Sequence, residues 1–239
     1  MKKRRLSLFL ALALCLTLLP AAAFANGEPE TPTPHTHYLC GNEEACSYVG
    51  GHNETDKTTF ATAIKQDNNG KVWVGGEPEE QPYQCALSEG TYHLATNLVL
   101  EAPSNTQFGC IQIMENVTLC LNGHTITGAA GKDTINVGSG VNFTLTDCRE
   151  SGKITHGTTT GGTQYLGNGV SLHKSCNFIM YGGSITDNNT AWSSGVYVEG
   201  SGKFYMHGGT ISGNSAVDGG GVYANGNFTV SGACREFEL

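Results

Sequence analysis

A short repeat in the second half of the chain constrains the fold more than any other feature of the sequence. The segment NFIMYGGSITDN at residues 177–188 is followed by KFYMHGGTISGN at residues 203–214, and NFTVS at residues 227–231 begins a third copy. The segments GVYV and GVYA stand between these copies, at residues 195–198 and 221–224. A chain that repeats one short unit folds as a stack of similar units, each packed on its neighbours.

Three apolar positions recur in constant order and define one unit. The first series is Val117, Phe143, Phe178, Phe204 and Phe228; the second is Ile126, Ile154, Ile185 and Ile211; the third is Ile135, Val170, Val196 and Val222. The apolar runs around them are short, lack a helical period and are separated by Gly, Asn, Asp and Ser, which predicts three strands per unit of roughly 25 residues. We attribute one longer interval to insertions at residues 149–151 and 158–167.

This pattern predicts an all-β fold, a parallel β-helix with three short strands per coil. Because side chains alternate along a strand, we expect Phe178 and Met180 to face the interior and Tyr181 to face outward. Equivalent residues of successive coils then stack about 4.8 Å apart. Asn188 and Asn214 each follow the repeated Ile by three residues, and we expect their amides to form a structural ladder that caps the turn.

The segments before the repeat divide the chain further. Residues 1–25 combine a basic start, an apolar run and an Ala-Phe-Ala site, which is typical of a secretory signal peptide and predicts a secreted protein. Residues 26–34 are rich in Pro, Glu and Thr and predict a flexible leader. Residues 35–85 predict an N-terminal cap region that contains Cys and His and a short helix at residues 58–66. The β-helix is predicted over residues 86–232.

The tail at residues 233–239 interrupts the repetition. The Gly-Thr-Ile expected at this point is replaced by a charged, non-repetitive sequence. We interpret the tail either as a short polar cap or as the end of a truncated piece of a longer repeat array, and we favour truncation. An open coil leaves unpaired strand edges, which also predict edge-to-edge association at the C-terminal coil.

The charge of the chain narrows its range of partners. The sequence has 13 Lys and Arg against 21 Asp and Glu, and loss of the signal peptide removes four of the basic residues and none of the acidic ones, which leaves a net charge near −12. Such a protein is repelled by nucleic acids and by anionic membranes, so we predict neither as a partner. We also predict no membrane insertion, because the apolar run at residues 6–19 is shorter than the roughly 20 residues of a membrane span.

Cysteine and histidine suggest sites of a different kind. Cys40 and Cys46 predict a small disulfide-closed loop, and a zinc site that includes His52 is the alternative, although the spacing matches no standard zinc finger. Eight cysteines follow the signal peptide, an even number that allows disulfides without assigning them. Cys120 lies inside an apolar strand, where it can also serve as a small buried hydrophobe. We predict no cofactor. Asp218 begins a Gly-rich segment similar to part of a calcium-binding nonapeptide, but the Gly-Gly-x-Gly-x-Asp order is absent, so a calcium site there is the alternative.

Outward side chains are the candidate ligand-binding residues. Strand alternation assigns to the outer face the residues Tyr181, Tyr197, Tyr205, His207 and Tyr223. Aromatic rings on a flat, repetitive surface stack on sugar rings while their hydroxyls form hydrogen bonds at the edge, which predicts glycan recognition. The alternative is that these aromatic neighbours only stabilise the sheet.

The repeat also resembles a known group of proteins. Its GGxIxxN segments, LCLNGHTI at residues 119–126 and HTHYLC at residues 35–40 are similar to those of the right-handed parallel β-helix of the pectin-lyase-like superfamily. The likeness is to secreted bacterial surface proteins with GGTISGN repeats, and it covers residues 35–232. It implies a secreted, non-catalytic surface protein that serves adhesion or the recognition of a glycan or host surface.

Enzymes of that superfamily imply an alternative, a polysaccharide lyase or hydrolase. Such enzymes resemble one another in clustered carboxylates with an Arg or Lys base, or in aspartates near Gly-His-Gly and Arg-x-Lys, and this sequence contains neither of the last two motifs. The acidic residues of the coils are scattered: Asp133, Asp147, Asp187, Glu199 and Asp218. We therefore assign no catalytic residue. A third interpretation is that the chain is the N-terminal fragment of a larger surface protein.

Overall fold

Twenty short strands make up the described part of the chain. The computed structural model describes residues 62–68, 70, 72–75, 85–101, 110–156, 166–193, 195–231 and 236–237. In chain order the strands are β1 (Thr62–Gln66), β2 (Val72–Val74), β3 (Cys85–Leu87), β4 (Gly90–Leu94), β5 (Leu98–Val99), β6 (Ile111–Ile113), β7 (Val117–Cys120), β8 (Thr125–Thr127), β9 (Ile135–Val137), β10 (Asn142–Thr146), β11 (Lys153–Thr155), β12 (Val170–Leu172), β13 (Asn177–Met180), β14 (Ser184–Thr186), β15 (Val196–Val198), β16 (Lys203–Met206), β17 (Thr210–Ser212), β18 (Val222–Ala224), β19 (Asn227–Val230) and β20 (Glu236–Phe237).

The strands form three sheets that the chain visits in turn. Sheet 1 has the order β19-β16-β13-β10-β7-β4-β1-β2, sheet 2 the order β20-β17-β14-β11-β8-β5, and sheet 3 the order β18-β15-β12-β9-β6-β3. From β3 onward each sheet takes every third strand, and all pairings there are parallel. A chain that returns to the same sheet after every third strand winds as a solenoid. The predicted all-β fold with three strands per coil is confirmed.

The register between coils agrees with the three apolar series read from the sequence. In sheet 1, Phe178 pairs with Phe143 on one side and with Phe204 on the other. In sheet 2, Ile185 lies between Ile154 and Ile211 in the same way. In sheet 3, the pairings Val170 with Val196 and Val196 with Val222 continue the third series. The strands on either side of the two predicted insertions keep this register.

The core is a set of columns in which equivalent apolar side chains stack from coil to coil. The rings of Phe143 and Phe178 have centroids 5.2 Å apart, and those of Phe178 and Phe204 have centroids 4.7 Å apart. These three side chains, together with Met180 and Met206, are completely buried. Burial of one such side chain contributes roughly 1.5 to 3 kcal/mol, which explains why each coil depends on its neighbours.

The N-terminal end of the described fold departs from the expectation. The helix predicted at residues 58–66 is wrong from Thr62 onward, because Thr62–Gln66 forms β1. This strand pairs in parallel with β4 and antiparallel with β2, and Ile64 is completely buried between coils. Sheet 1 therefore extends beyond the predicted start of the β-helix at residue 86. The predicted signal peptide, the leader and residues 35–61 of the cap region lie outside the described residues.

The C-terminal end contains one strand that the sequence did not predict. Within the tail, Glu236–Phe237 forms β20 and pairs in parallel with β17, with Phe237 in backbone register with Ile211. The last strand of sheet 1, β19, leaves Val230 46% exposed, whereas its partner Met206 is completely buried. In the described ranges there is no helix, and hence none that is long and apolar enough to cross a membrane.

Candidate ligand-binding groove

A groove runs across the outer face of sheet 3. Its volume is about 410 Å³, and its lining consists of Asp133, Asn168, Ser171, Trp192, Ser193, Tyr197, Asp218, Tyr223 and Asn225. The floor is formed by the central residues of three consecutive strands, because Ser171 pairs with Tyr197 and Tyr197 with Tyr223. The other lining residues come from the turns that precede or follow the strands of this sheet. The groove is thus built from several coils.

Strand alternation explains why tyrosines form the floor. In β15 the first and third residues, Val196 and Val198, are completely buried in the core, so Tyr197 between them faces outward. Tyr223 holds the same position in β18 and pairs in register with Tyr197. Their rings stack with centroids 5.9 Å apart and planes inclined by 22°. The result is a continuous aromatic surface that follows the solenoid axis over two coils.

Polar side chains at one wall are held in place by hydrogen bonds between coils. Asp133 Oδ1 accepts hydrogen bonds from the main-chain N–H and from Nδ2 of Asn168, both at 2.9 Å. Asn168 Oδ1 in turn accepts a hydrogen bond of 2.8 Å from Ser193 Oγ. The three side chains thereby form one connected chain over three coils. A ligand would meet polar groups that are already fixed in orientation.

Trp192 stands at the rim of the groove with most of its side chain exposed. Its exposed fraction is 70%. The turn that carries it is closed by Thr190, whose Oγ1 accepts hydrogen bonds from the main-chain N–H groups of Trp192 at 3.2 Å and of Ser193 at 2.9 Å. Thr190 Oγ1 also donates to the Ser193 carbonyl oxygen. This hydrogen-bonded turn presents a large aromatic ring to solvent beside the stacked tyrosines.

The groove is acidic. The described residues of its lining include Asp133 and Asp218 and no basic side chain. Asp133 lies in the turn before β9 and Asp218 in the turn before β18, and these strands are three steps apart in sheet 3. Because adjacent strands lie about 4.8 Å apart, three steps separate the two carboxylates by about 14 Å along the axis. The carboxylates of Asp133 and Asp218 therefore lie at opposite ends of the groove.

The five predicted ligand-binding residues lie on different surfaces of the solenoid. Tyr197 and Tyr223 lie in the groove. Tyr181 stacks on His207 at the end of sheet 1, with centroids 5.0 Å apart, and His207 Nδ1 lies 2.8 Å from Ser231 Oγ. Tyr205 lies on the outer face of sheet 1, where it pairs with Ile179 and Thr229. All five side chains are half-buried, because equivalent positions of adjacent coils cover part of each ring.

The predicted ladder residues occupy the turn between sheet 2 and sheet 3. Asn188 Nδ2 donates a hydrogen bond of 2.8 Å to Asn214 Oδ1, and Asn214 Nδ2 donates one of 2.9 Å to the Ile185 carbonyl oxygen. On the opposite side, Asn188 Oδ1 lies 2.7 Å from His156 Nδ1, and His156 Nε2 lies 2.7 Å from the Lys132 carbonyl oxygen. His156 thus occupies the ladder position of the preceding coil.

The predicted metal sites remain predictions. Cys40, Cys46 and His52 lie outside the described residues. Among the residues that are described, no three His, Cys, Asp or Glu side chains come close enough together to hold a metal ion, and Asp218 belongs to no such group.

Most of the groove was not identified from the sequence. Trp192 and Asp218 occupy equivalent turn positions of consecutive coils, because the bridge between Ser193 and Gly219 aligns the two turns. A signal was available, since these two turns are the part of the repeat in which the copies differ most. Asp133 and Asn168 carry no comparable signal, because 35 residues separate them and the register of the coils alone brings them together.

Comparison with protein-family models, with curated proteins and with solved structures finds no match to this chain.

Proposed function

We propose that this protein is a non-catalytic recognition module that binds a glycan chain in the groove on sheet 3. The observation that carries the proposal is the stacked pair Tyr197 and Tyr223, flanked by the exposed ring of Trp192 and by fixed polar side chains. Aromatic faces pack against the apolar faces of sugar rings, and amide and carboxylate groups bind sugar hydroxyls at the ring edge. The groove combines both kinds of group.

The arrangement favours an extended ligand over a compact one. The groove follows the solenoid axis from β9 to β18, and the tyrosine rings repeat at the spacing of the coils. A polymer of similar units can place successive units along such a surface, which increases the contact area without a deep pocket. The hydrogen bonds that hold Asn168 and Ser193 reduce the entropy lost when the ligand binds, because these side chains are already ordered.

The charge of the groove supports an uncharged or amino-substituted glycan. A uronate polymer would bring its carboxylates close to Asp133 and Asp218, and like charges at short distance weaken binding. Hydroxyl groups can donate hydrogen bonds to the same carboxylates without this cost. We therefore expect neutral and amino-sugar polysaccharides to bind more tightly than pectin or other uronates.

The separation of the two acids supports binding over hydrolysis. Glycoside hydrolases place their two carboxyl groups about 5 to 9.5 Å apart, and the estimate of about 14 Å between Asp133 and Asp218 exceeds that range. A polysaccharide lyase or hydrolase is the second candidate, because both acids line one groove. Release of reducing ends or of unsaturated products from a bound polysaccharide, with and without calcium, would favour the enzyme and contradict the binding proposal.

We extend the proposal to the location, family type and partners of the protein. The solenoid, the GGxIxxN repeats and the predicted N-terminal signal peptide support a secreted bacterial surface protein of the right-handed, pectin-lyase-like type. Its acidic composition supports a glycan or cell-surface partner over nucleic acid or membrane. The exposed Val230 on β19 supports edge-to-edge association at the C-terminal coil. Calcium at Asp218 and the third interpretation, a fragment of a larger surface protein, stay predictions from the sequence.

The proposal is tested by measuring binding of the purified protein to immobilised polysaccharides of three charge classes. We expect neutral or amino-sugar polymers to bind and uronate polymers to bind at least tenfold more weakly at low salt. Added salt should reduce this difference, because it screens the repulsion between carboxylates. Absence of binding to all three classes, or preference for uronates that persists at low salt, would contradict the proposed ligand chemistry.

A further inference from the structure

Cys120 and Cys148 lie side by side on neighbouring coils, away from the proposed groove. Cys120 is the last residue of β7, and Cys148 follows the end of β10 by two residues. Their sulfur atoms are 3.3 Å apart, so they are in contact without being covalently joined. A disulfide bond holds its two sulfur atoms about 2.05 Å apart. From this geometry we propose that Cys120 and Cys148 are the site of a disulfide bond that links the two coils.

The backbone holds both cysteines in position. Cys120 lies within the parallel ladder between β7 and β10. The turn after β10 is fixed by Asp147, whose two carboxylate oxygens accept hydrogen bonds from the main-chain N–H groups of Gly123 at 2.7 Å and of Gly152 at 2.6 Å. These bonds fix the turn that carries Cys148 beside the end of β7.

The two thiols differ in exposure, which sets the order of the reaction. Cys148 is half-buried, whereas Cys120 is completely buried. A disulfide-bearing oxidant such as oxidised glutathione therefore meets the Cys148 thiolate, which attacks one of its sulfurs, forms a mixed disulfide and releases one glutathione thiolate. The Cys120 thiolate then attacks the Cys148 sulfur and releases the second. Two electrons reduce the oxidant, and the two protein thiol protons pass to the released glutathione molecules.

Two other cysteines of the coils have different neighbours. Cys176 Sγ donates to the carbonyl oxygen of His173 at 2.8 Å. Cys110 Sγ accepts a hydrogen bond from Gln112 Nε2 at 2.7 Å. The short contact between two sulfur atoms thus distinguishes the Cys120–Cys148 pair from Cys110 and Cys176.

The bond would stabilise the solenoid by limiting the number of conformations that the unfolded chain can adopt. It joins residues that are 28 positions apart in sequence. Cross-linking a loop of this length lowers the entropy of the unfolded state, and for a domain of this size we expect oxidation to raise the melting temperature by roughly 5 to 10 °C.

Peptide mapping tests the proposal directly. The folded full-length protein is treated with oxidised glutathione, its remaining thiols are alkylated, and it is digested with trypsin without reduction. Cleavage after Lys71, Lys132 and Arg149 separates fragment 72–132, which contains Cys120, from fragment 133–149, in which Cys148 is the sole cysteine. We expect the two fragments to be joined and reduction to separate them.

Variants identify the partner of Cys148, because fragment 72–132 also contains Cys85 and Cys110. Cys120→Ser should abolish the link and leave Cys148 either as an alkylated thiol or as an unresolved mixed disulfide with glutathione, whereas the control Cys110→Ser should retain the link. Cys148→Ser, at a half-buried site, should melt like the reduced wild-type protein and serves if Cys120→Ser fails to fold. Alkylation of Cys148 in the oxidised, folded wild-type protein, or a link that persists in Cys120→Ser, would overturn the proposal.

Discussion

The side-chain amide of Asn188 donates a hydrogen bond of 2.8 Å to the side-chain oxygen of Asn214, the residue in the same position one coil later. The main-chain N–H of Asn188 donates to the same oxygen at 3.1 Å, and Asn188 Nδ2 also lies 3.1 Å from the Thr186 carbonyl oxygen. The ladder thus satisfies main-chain groups that the turn leaves outside the sheets. Buried polar groups require such partners, so the ladder supports the path of the chain as well as its stability.

Replacement of Asn188 by Ala should destabilise the protein by about 1 to 3 kcal/mol, because it leaves buried polar groups of the turn without partners. Asn189→Ala is the matched control, since this neighbouring side chain is exposed, and it should change the free energy of unfolding by less than about 0.5 kcal/mol. Urea-induced unfolding of the two variants gives the comparison. Equal stability of the two would mean that the ladder contributes nothing.

The aromatic column gives a second prediction. Phe178 is completely buried between Phe143 and Phe204, whereas Phe228 packs on Phe204 from one side and is half-buried. Phe178→Ala should cost about 3 to 5 kcal/mol of unfolding free energy, because the neighbouring coils cannot collapse into the cavity. Phe228→Ala should cost distinctly less. A larger effect at Phe228 than at Phe178, measured by the same unfolding experiment, would contradict the stacked core.

Two glycines with positive φ give a third prediction: Gly209 lies in a turn between sheet 1 and sheet 2, and Gly131 lies in a turn between sheet 2 and sheet 3. Gly209 has φ of +87°, and a Cβ atom there would lie 2.7 Å from the Gly183 carbonyl oxygen. Gly131 has φ of +75°, but a Cβ atom there would meet nothing within 4 Å. Gly131→Ala should therefore cost about 1 to 2 kcal/mol from backbone strain alone.

Gly209→Ala should cost at least about 1 kcal/mol more than Gly131→Ala, because the carbonyl oxygen of the neighbouring coil must also move. Thermal melting of both variants, converted to free energy at a common temperature, measures the difference. Equal destabilisation would show that the coils do not approach as closely as the structure places them.

Cys176 gives a prediction that depends on pH. Burial raises the pKa of the Cys176 thiol from its ordinary value of 9.0 to about 11. At pH 8 the thiolate fraction in the folded protein should be about a hundredfold lower than in the unfolded chain, since each pH unit changes it tenfold. The rate of alkylation of Cys176 by iodoacetamide should differ by at least that factor between native protein and protein in urea.

The sign of the same shift predicts the effect on stability. The fold favours the neutral thiol, so this group contributes its full stabilisation below pH 9 and loses it as the pH rises through about 11. Cys176→Ala should remove this alkaline loss from the pH dependence of unfolding. Native alkylation at pH 8 that is as fast as in urea would contradict the burial of the thiol.

The sequence repeat predicted which sheet individual residues belong to, because each position of the repeating unit occurs several times in the chain. Phe178, Ile185 and Val196 fall in three different sheets, as their places in the repeat indicated. The prediction of a helix at residues 58–66 was wrong from Thr62 onward, because it depended on a short apolar pattern that does not recur in the chain. Pairing of β1 with both β2 and β4 outweighed the local pattern, since hydrogen bonds and burial of Ile64 depend on strands distant in sequence.

The candidate site was predicted in part, for a related reason. Tyr197 and Tyr223 lie within the repeat, so strand alternation gave their direction. Trp192, Asp133 and Asp218 lie in turns, where the copies differ and no period assigns a direction to a side chain. Their convergence depends on the register of coils and on the conformation of each turn, which the sequence pattern does not contain.

The central claim is that the aromatic floor and rim of the groove bind a glycan. Once the preferred polysaccharide is identified, titration calorimetry with its oligosaccharide should show that Trp192→Ala and Tyr223→Ala each weaken binding about tenfold, or about 1.4 kcal/mol. Tyr205→Ala is the control, because it removes an equally half-buried tyrosine from the outer face of sheet 1. We predict unchanged affinity for this control. Unchanged affinity in both groove variants, with the fold intact, would contradict the claim.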